Sequence, residues 1–157
     1  MRPSTLTLRD LTFLGVHIEV DMDFTGQALG FDFDGAKISS GVRHGKQGPE
    51  DDLRWWVGVD FAVFSDEEKR CPYSVEMKAA GLFTIDESVP VEKRESFVYE
   101  SGAAMVYSAI REMVATITGR SAHGPFTLPT VSFFGSFEER DQLPSPDQDG
   151  QGDPAVP

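Results

Sequence analysis

The chain has 157 residues, 39% of them apolar, and its formal net charge is −12. A chain of this length forms one domain with its own core. Its acidic excess argues against nucleic acid and anionic lipid as partners, because both require clustered Lys and Arg. The single cysteine, Cys71, makes no internal disulfide and fits a reducing compartment. No apolar run approaches the roughly 18 residues of a membrane span, so we expect a soluble, cytoplasmic protein without membrane insertion.

Alternation of apolar and polar residues predicts a first strand that begins near Thr5. The alternation changes phase around Arg9-Asp10 and then resumes, which predicts a β-bulge at that point. A second strand is predicted where apolar side chains alternate with glycine and aspartate. Its apolar positions are Leu29, Phe31 and Phe33, and the alternation is compatible with a continuation through Ala36, Ile38 and Val42.

The third strand has the clearest pattern, with one fully apolar face. The residues of that face are Leu53, Trp55, Val57, Val59, Phe61 and Val63. A fourth strand begins at Tyr73 and ends in the segment 80–85. Four long strands joined by short polar links predict an antiparallel meander. The fold class is therefore α+β, with a four-stranded antiparallel sheet followed by helix.

One long helix is predicted over residues 101–118, preceded by a charged segment, 91–100, that is compatible with partial helix. Ser101 fits the N-cap, and Gly119 fits the left-handed residue that often ends a helix. The apolar residues of the helix spread well beyond the arc of roughly 100° that packing on one sheet requires. A second layer is therefore expected over its back, and a symmetric copy of the chain can supply that layer.

A short C-terminal helix is predicted within residues 130–141, where Val131, Phe134 and Phe137 are spaced three apart. From 142 to 157 the chain is rich in proline, aspartate and glycine and has no aromatic residue, which is typical of a disordered tail. The predicted domain covers residues 1–141, and the acidic, proline-rich tail covers residues 142–157.

Residues that carry catalytic or metal chemistry form no recognisable pattern. The three histidines are far apart in the sequence and Cys71 stands alone, so neither a metal site nor a nucleophile is indicated. Asp32 and Asp34 lie two apart, a spacing that suits acid–base chemistry or cation binding and is also typical of a solvated strand face. We expect a protein that is not an enzyme and that uses no cofactor and no metal.

Several short segments resemble the SecB family of export chaperones. These are Gly81-Leu82-Phe83-Thr84-Ile85, the pair Arg111-Glu112, Arg120, and Gly124-Pro125-Phe126 leading to Leu128-Pro129-Thr130-Val131-Ser132-Phe133. The resemblance covers roughly residues 5 to 140 and is best from Tyr73 to Phe137. It implies four antiparallel strands, a long helix, a short second helix and a flexible acidic tail. It also implies a homotetramer, built as a dimer of dimers with the long helices between the sheets.

The resemblance also implies roles for individual residues. The positions that line the client-binding groove are matched by Leu29, Phe31, Phe33, Val131, Phe133 and Phe137. The acidic positions that meet the basic face of the SecA motor are matched by Asp10 and Glu76. The oligomer interface on the long helix is assigned to Val106, Ile110, Arg111, Glu112, Met113 and Ile117.

Three hypotheses follow for the function. The first is an ATP-independent holdase that binds non-native polypeptides, either secretory precursors passed to SecA or the antitoxin of a toxin–antitoxin system. The second, from a different class, is a small-ligand carrier or enzyme with Asp32, Asp34 and His44 at one pocket. The third is an assembly subunit that has no client.

Overall fold

The computed structural model describes residues 3–140, which form a four-stranded antiparallel sheet with a long helix across one face. The strands are β1 (Leu6–Val20), β2 (Lys37–Lys46), β3 (Arg54–Phe64) and β4 (Tyr73–Ile85). The helices are α1 (Val91–Thr118) and α2 (Ser136–Arg140). The predicted α+β class and order of elements are confirmed. The predicted tail at 142–157 lies outside the described residues.

The order of strands in the sheet is β1-β4-β3-β2. Strands β2, β3 and β4 form a meander, but β1 pairs with β4, from Leu6 opposite Ile85 to Val20 opposite Tyr73. The prediction of a complete meander is therefore wrong. The segment 21–36 is no hairpin turn, because it carries the chain across the end of the sheet to the far edge.

Strand β1 contains two irregularities. A register shift between Leu8 and Asp10 confirms the bulge predicted from the change of phase. A second shift, between Phe13 and Gly15, was not predicted, and it leaves Leu14 69% exposed. Bulges increase the local twist of a strand and disrupt the regular spacing of its backbone groups, so β1 is an irregular edge.

The predicted strand at Leu29–Phe33 is wrong, because β2 begins only at Lys37. Gly30 and Gly35 adopt positive φ angles of 74° and 77°, which end an extended chain. The N–H of Asp34 donates to Oδ1 of Asp32 at 2.9 Å, forming a local turn between the two glycines. The proposed continuation of the alternation lies in β2 at Ile38 and Val42.

Helix α1 begins at Val91, ten residues before the predicted N-cap, so Ser101 lies inside the helix. Pro90 occupies the cap position, and Nε of Arg94 donates to the Val89 carbonyl at 2.9 Å. Gly119 has a right-handed φ of −56° and donates its N–H to Ala115 at 3.0 Å, so the predicted left-handed end is also wrong. None of the described helices combines the length and apolarity needed to cross a bilayer.

The core lies between α1 and the inner face of the sheet. The inward row of β3 is fully or almost fully buried, as its sequence predicts; its members are Trp55, Val57, Val59, Phe61 and Val63. Gly102 allows close contact, since a Cβ there would lie 2.8 Å from Cγ2 of Val57. The outer face of the sheet is mixed: it carries exposed Arg54, Glu76 and Lys78 together with the partly exposed apolar residues Phe64 and Leu82.

The second helix is shorter than predicted and has only five residues. Gly135, at a φ of 79°, precedes it and turns the chain. Val131 therefore lies in the extended segment before the helix, Phe134 lies in the turn that leads into it, and Phe137 lies within the helix.

Candidate functional site

The extended segment 125–133, here called the strap, is fixed along α1 by side chains of the helix. Three bonds join Phe126 N to Thr118 Oγ1 (2.8 Å), Arg111 Nε to Leu128 O (3.0 Å) and Tyr107 Oη to Pro129 O (2.7 Å). The three helix residues lie four and seven positions apart, so they share one face of α1. Because Phe126 and Leu128 are also buried in the core, the strap is a permanent part of the fold.

The contribution of Tyr107 to this attachment can be measured from the pH dependence of the free energy of unfolding. Burial raises the pKa of Tyr107 to about 12, so in the unfolded chain its phenol ionises first, near pH 10. We expect the free energy of unfolding to fall as the pH rises from about 10 to 12, by up to about 2 kcal/mol from this group. Urea unfolding of the native protein and Tyr107→Phe at about pH 8 and about pH 11 checks this.

The same two proteins supply the control. Tyr107→Phe loses the bond to Pro129, so near pH 8 it should be less stable by about 1 kcal/mol. The two proteins differ only in the phenol of residue 107, and the difference between their stabilities therefore isolates Tyr107. That difference should shrink or reverse near pH 11; a difference that does not change with pH would contradict the prediction.

A first aromatic cluster lies at one end of the strap. Phe33 stacks on Phe126 with ring centroids 5.4 Å apart, and Phe31 meets both rings edge-on. Phe24 packs between Phe31 and His123, and the ammonium group of Lys69 lies 5.2 Å from the Phe31 ring centroid. Phe24, Phe31 and Phe33 are only half-buried, so apolar ring surface is open to solvent here.

The loop that carries this cluster is held by Asp21. Its carboxylate accepts hydrogen bonds from Ser65 Oγ, from Arg70 Nη1 at 3.2 Å and from the N–H of Asp23 at 2.9 Å. The bond from Ser65 is the main reason that the pKa of Asp21 lies below its usual value. The Asp21 carbonyl oxygen lies 2.7 Å from Nε2 of His123. One residue thus joins the end of β1, the β3–β4 turn and the loop after α1.

A second aromatic cluster lies beyond the other end of the strap. The ring of His44, on β2, packs edge-on against Tyr99 of α1 at 5.1 Å and Phe137 of α2 at 6.0 Å. Nε2 of His44 lies 2.9 Å from Oε1 of Glu95. The guanidinium of Arg140 lies 4.9 Å from the Phe137 ring centroid. These contacts attach α2 to both α1 and β2.

The two clusters show where the strap runs. Its first residues meet Phe33, just before β2, and the chain after it brings Phe137 to His44 near the end of β2. The strap therefore runs beside β2, and we call the partly exposed surface between them the groove. The inward side chains of β2 form its floor: Ile38 is 42% exposed, Ser40 is exposed and Val42 is half-buried.

Acidic residues surround the groove. Asp32 and Asp34 are exposed beside the first aromatic cluster, and Glu138 and Glu139 are exposed beside the second. The groove thus has a floor of two apolar residues and one serine, aromatic ends and an acidic rim. Such a surface suits an extended chain with apolar side chains and few acidic ones.

The six residues assigned to a client groove lie around this one feature but not in one patch. Phe31 and Phe33 belong to the first cluster, Phe137 to the second, and Val131 and Phe133 to the strap. Leu29 lies outside the first cluster and is 69% exposed. The floor residues Ile38 and Val42 were missed as site residues, although their alternation in sequence marks them as one row.

The residues assigned to the oligomer interface divide into two groups. Val106 and Ile110 are fully buried within the protomer, so their side chains are not available to a partner. Arg111 is half-buried, and its Nε is bonded to the strap. Glu112 is exposed, Met113 is half-buried and Ile117 is 40% exposed. The exposed stripe of α1 has four-residue spacing and is formed by Ala104, Ser108, Glu112 and Thr116.

Asp10 and Glu76 lie on the sheet face opposite to the groove. Asp10 pairs with Leu82 and Glu76 pairs with His17, and both carboxylates are exposed. The spacing of strand residues places the two carboxylates roughly 20 Å apart along β4.

The structure does not assemble the alternative small-ligand pocket. Asp32 and Asp34 lie in the turn before β2, whereas His44 lies in the second cluster with Glu95. Within residues 3–140 no group of His, Cys, Asp and Glu is arranged to hold a metal ion. Cys71 is fully buried, and burial raises the pKa of its thiol.

Comparison with known families decides the relationship. Residues 36–143, more than half of the chain, match the family model described as SecB, the preprotein translocase subunit. The chain belongs to the SecB family. The matched region contains β2, the strap and both helices, whereas Phe24, Phe31 and Phe33 of the first aromatic cluster lie before it. No curated protein sequence gave a match.

Solved structures agree with the fold. A SecB-like chaperone from Mycobacterium tuberculosis, solved in complex with a ChAD peptide from the HigA1 antitoxin, superposes with a TM-score of 0.57 at 19% identity, covering 82% of this chain and 88% of that one. A protein of unknown function from Streptococcus agalactiae superposes with a TM-score of 0.54 at 13% identity, covering 80% and 97%. At these identities the likeness shows the fold alone.

Proposed function

We propose that this SecB-family protein is an ATP-independent holdase that binds extended, non-native polypeptide segments in the groove between the strap and β2. The observation that carries the proposal is the uncovered apolar floor at Ile38 and Val42, with half-buried aromatic rings at each end. Exposed apolar surface with a polar rim is typical of a site that binds another protein chain. The proposed activity is binding, without catalysis and without a cofactor.

The experiment that tests the proposal is suppression of aggregation. Chemically denatured citrate synthase is diluted into buffer without ATP, and light scattering is followed with and without the protein. At one protomer per client chain we expect scattering to be slowed at least about twofold, because apolar burial in many weak contacts delays association of the client. Scattering that is unchanged even at excess protein would overturn the proposal.

We propose that the clients are secretory precursors and that the receiver is SecA. Supporting this, Asp10 and Glu76 are exposed on the face opposite to the groove, where a basic partner could dock while a client stays bound. Precipitation of purified SecA by the immobilised protein tests the assignment, and absence of binding at low ionic strength would remove it.

A second candidate client is the antitoxin of a toxin–antitoxin system. The observation that favours it is the antitoxin peptide bound to the Mycobacterium tuberculosis SecB-like chaperone, which shares the fold. The two candidates differ in selectivity. A dedicated antitoxin chaperone should bind one partner sequence far more tightly than a set of unrelated unfolded chains.

We further propose a homotetramer, arranged as a dimer of dimers, acting in the cytoplasm. Two uncovered surfaces support assembly: the stripe of mostly small residues on α1, and the inward row of β1, where Leu8 is 38% and Val16 is 47% exposed. Small residues allow helices to approach closely, and apolar rows at an edge favour burial. Native mass measurement tests this, and a monomer at micromolar concentration would exclude it.

A further inference from the structure

We infer that the outer edge of β2 binds the client backbone directly, so that a client segment joins the sheet as a fifth strand beside β3-β2. The inference rests on the proposed function and specifies how the groove holds its occupant. In the described sheet, the two edge strands are β1 and β2. They differ in regularity, since β1 has two register shifts and β2 pairs with β3 without one along its whole length.

The backbone polarity of β2 follows from its hairpin. The N–H of Gln47 donates to the carbonyl of Arg54 at 2.9 Å, one pair beyond Lys46 opposite Trp55. In an antiparallel pair the residues that bond to the partner strand alternate with residues whose backbone groups point away. Odd-numbered residues of β2 therefore bond to β3, and even-numbered residues direct their N–H and C=O groups to the open edge.

The same even-numbered residues form the groove floor. Ile38, Ser40 and Val42 thus offer free backbone groups and inward side chains at one place. Residues 37–41 are all exposed, and Gly41 has no atom within 4 Å of a Cβ position. Towards the far end the inward face of β2 is covered, since the side chain of His44 is only 6% exposed and packs against Phe137 of α2. The open part suits a short extended segment.

The charges of β2 indicate a foreign segment as the occupant, not a second copy of β2. The exposed side chains of Lys37 and Arg43 are basic, and β2 contains no acidic residue. Antiparallel pairing of β2 with itself about Ser40 would set Lys37 against Arg43, which is unfavourable. Each already has an acidic partner in its own chain, Asp66 for Lys37 and Asp60 for Arg43. A neutral or weakly basic client strand therefore meets no unpaired charge at this edge.

Strand addition predicts a dependence on backbone position that side-chain binding does not. The probe is a short synthetic peptide in which valine or phenylalanine alternates with serine, with lysine at each end. Two isomers carry the same number of N-methyl groups, either on the apolar residues or on the serines. An added strand uses the N–H groups of only one of these sets. We expect one isomer to bind roughly tenfold or more weaker than the parent peptide, and the other to bind nearly as well.

The outcomes distinguish failure of strand addition from failure of the holdase proposal. Loss confined to the apolar-position isomer supports antiparallel addition, and loss confined to the serine-position isomer supports parallel addition. Equal affinities of the two isomers, with clear binding of the parent, would overturn strand addition and leave the holdase proposal standing. No binding of the parent peptide, together with no suppression of aggregation, would overturn both.

A protein variant gives an independent measurement. Ser40→Pro removes one outward N–H, and proline is tolerated in edge strands at positions that do not bond to the neighbouring strand. Ser40→Ala removes the hydroxyl and keeps the N–H. We expect the proline variant to bind the parent peptide severalfold more weakly than the alanine variant, with urea midpoints close to the native value. Equal affinities of two folded variants would count against the inference.

Discussion

Replacing Ile38 by glutamate is expected to weaken the binding of an unfolded polypeptide by roughly tenfold or more. Ile38 faces inward on the floor of the groove and is 42% exposed, so the client covers it only when bound. A carboxylate at this position would have to lose its hydration against apolar client side chains. Fluorescence anisotropy with labelled, reduced and carboxamidomethylated lysozyme, which stays unfolded, measures the change at physiological ionic strength.

Phe64→Glu is the matched control for this substitution. Phe64 is also apolar and 43% exposed, and it lies in the neighbouring pair of the β2–β3 ladder, but it faces the outer side of the sheet. The two variants add the same charge within one ladder step of each other. Phe64→Glu should bind the client nearly as well as the native protein. Equal losses in both variants would mean that net charge, and not the groove, governs binding.

Replacing Gly102 by leucine is expected to destabilise the fold by about 3 kcal/mol. A Cβ at Gly102 lies 2.8 Å from Cγ2 of Val57 and 3.4 Å from Cε2 of Phe83, so the remaining leucine atoms have no space between α1 and β3. The helix must then move away from the sheet, and the buried contacts around it loosen. Urea unfolding followed by circular dichroism measures the loss.

Lys93→Leu places the same side chain on an exposed position of the same helix. It should change the free energy of unfolding by no more than about 0.5 kcal/mol, as surface substitutions usually do. A cost below about 1 kcal/mol for Gly102→Leu, or equal costs for both variants, would show that the helix–sheet spacing adapts to a larger residue.

Strands with one covered face were predictable from the sequence. The inward row of β3 is apolar throughout because α1 covers that face of the sheet, whereas the other face of β3 is mixed. The bulge near Arg9 could be located in the same way, since a bulge reverses the alternation. The second bulge could not be located from the sequence. Leu14 is followed by Gly15, and glycine is neither apolar nor polar enough to show a change in the alternation.

The segment Leu29–Phe33 shows why alternation alone misleads. Phe31 and Phe33 alternate with polar residues because both rings pack on Phe126 while the residues between them face solvent. Period-2 burial is therefore present without strand pairing, and the positive φ angles of Gly30 and Gly35 end the extended path. Both glycines lie in local turns, in which the N–H of Phe31 donates to Ala28 and the N–H of Ala36 donates to Phe33.

The candidate groove was predictable in its aromatic residues and not in its shape. Tyr107 and Arg111 look like ordinary helix residues in the sequence, yet their polar groups position the strap. These bonds join residues that are far apart in the chain, so the local pattern of apolar and polar residues does not predict them. One of these bonds holds Arg111, assigned to an interface between copies, against the strap of its own protomer.

The pairing of β1 with β4 has a consequence for synthesis of the protein. Leu6 at the start of the chain finds its partner, Ile85, only after β2, β3 and most of β4 have been made. At the roughly 5–20 residues per second of translation, β1 remains without its partner strand for several seconds. During that time its apolar residues have neither their neighbouring strand nor the cover of α1, so the nascent chain passes through a stage in which it is itself exposed to aggregation.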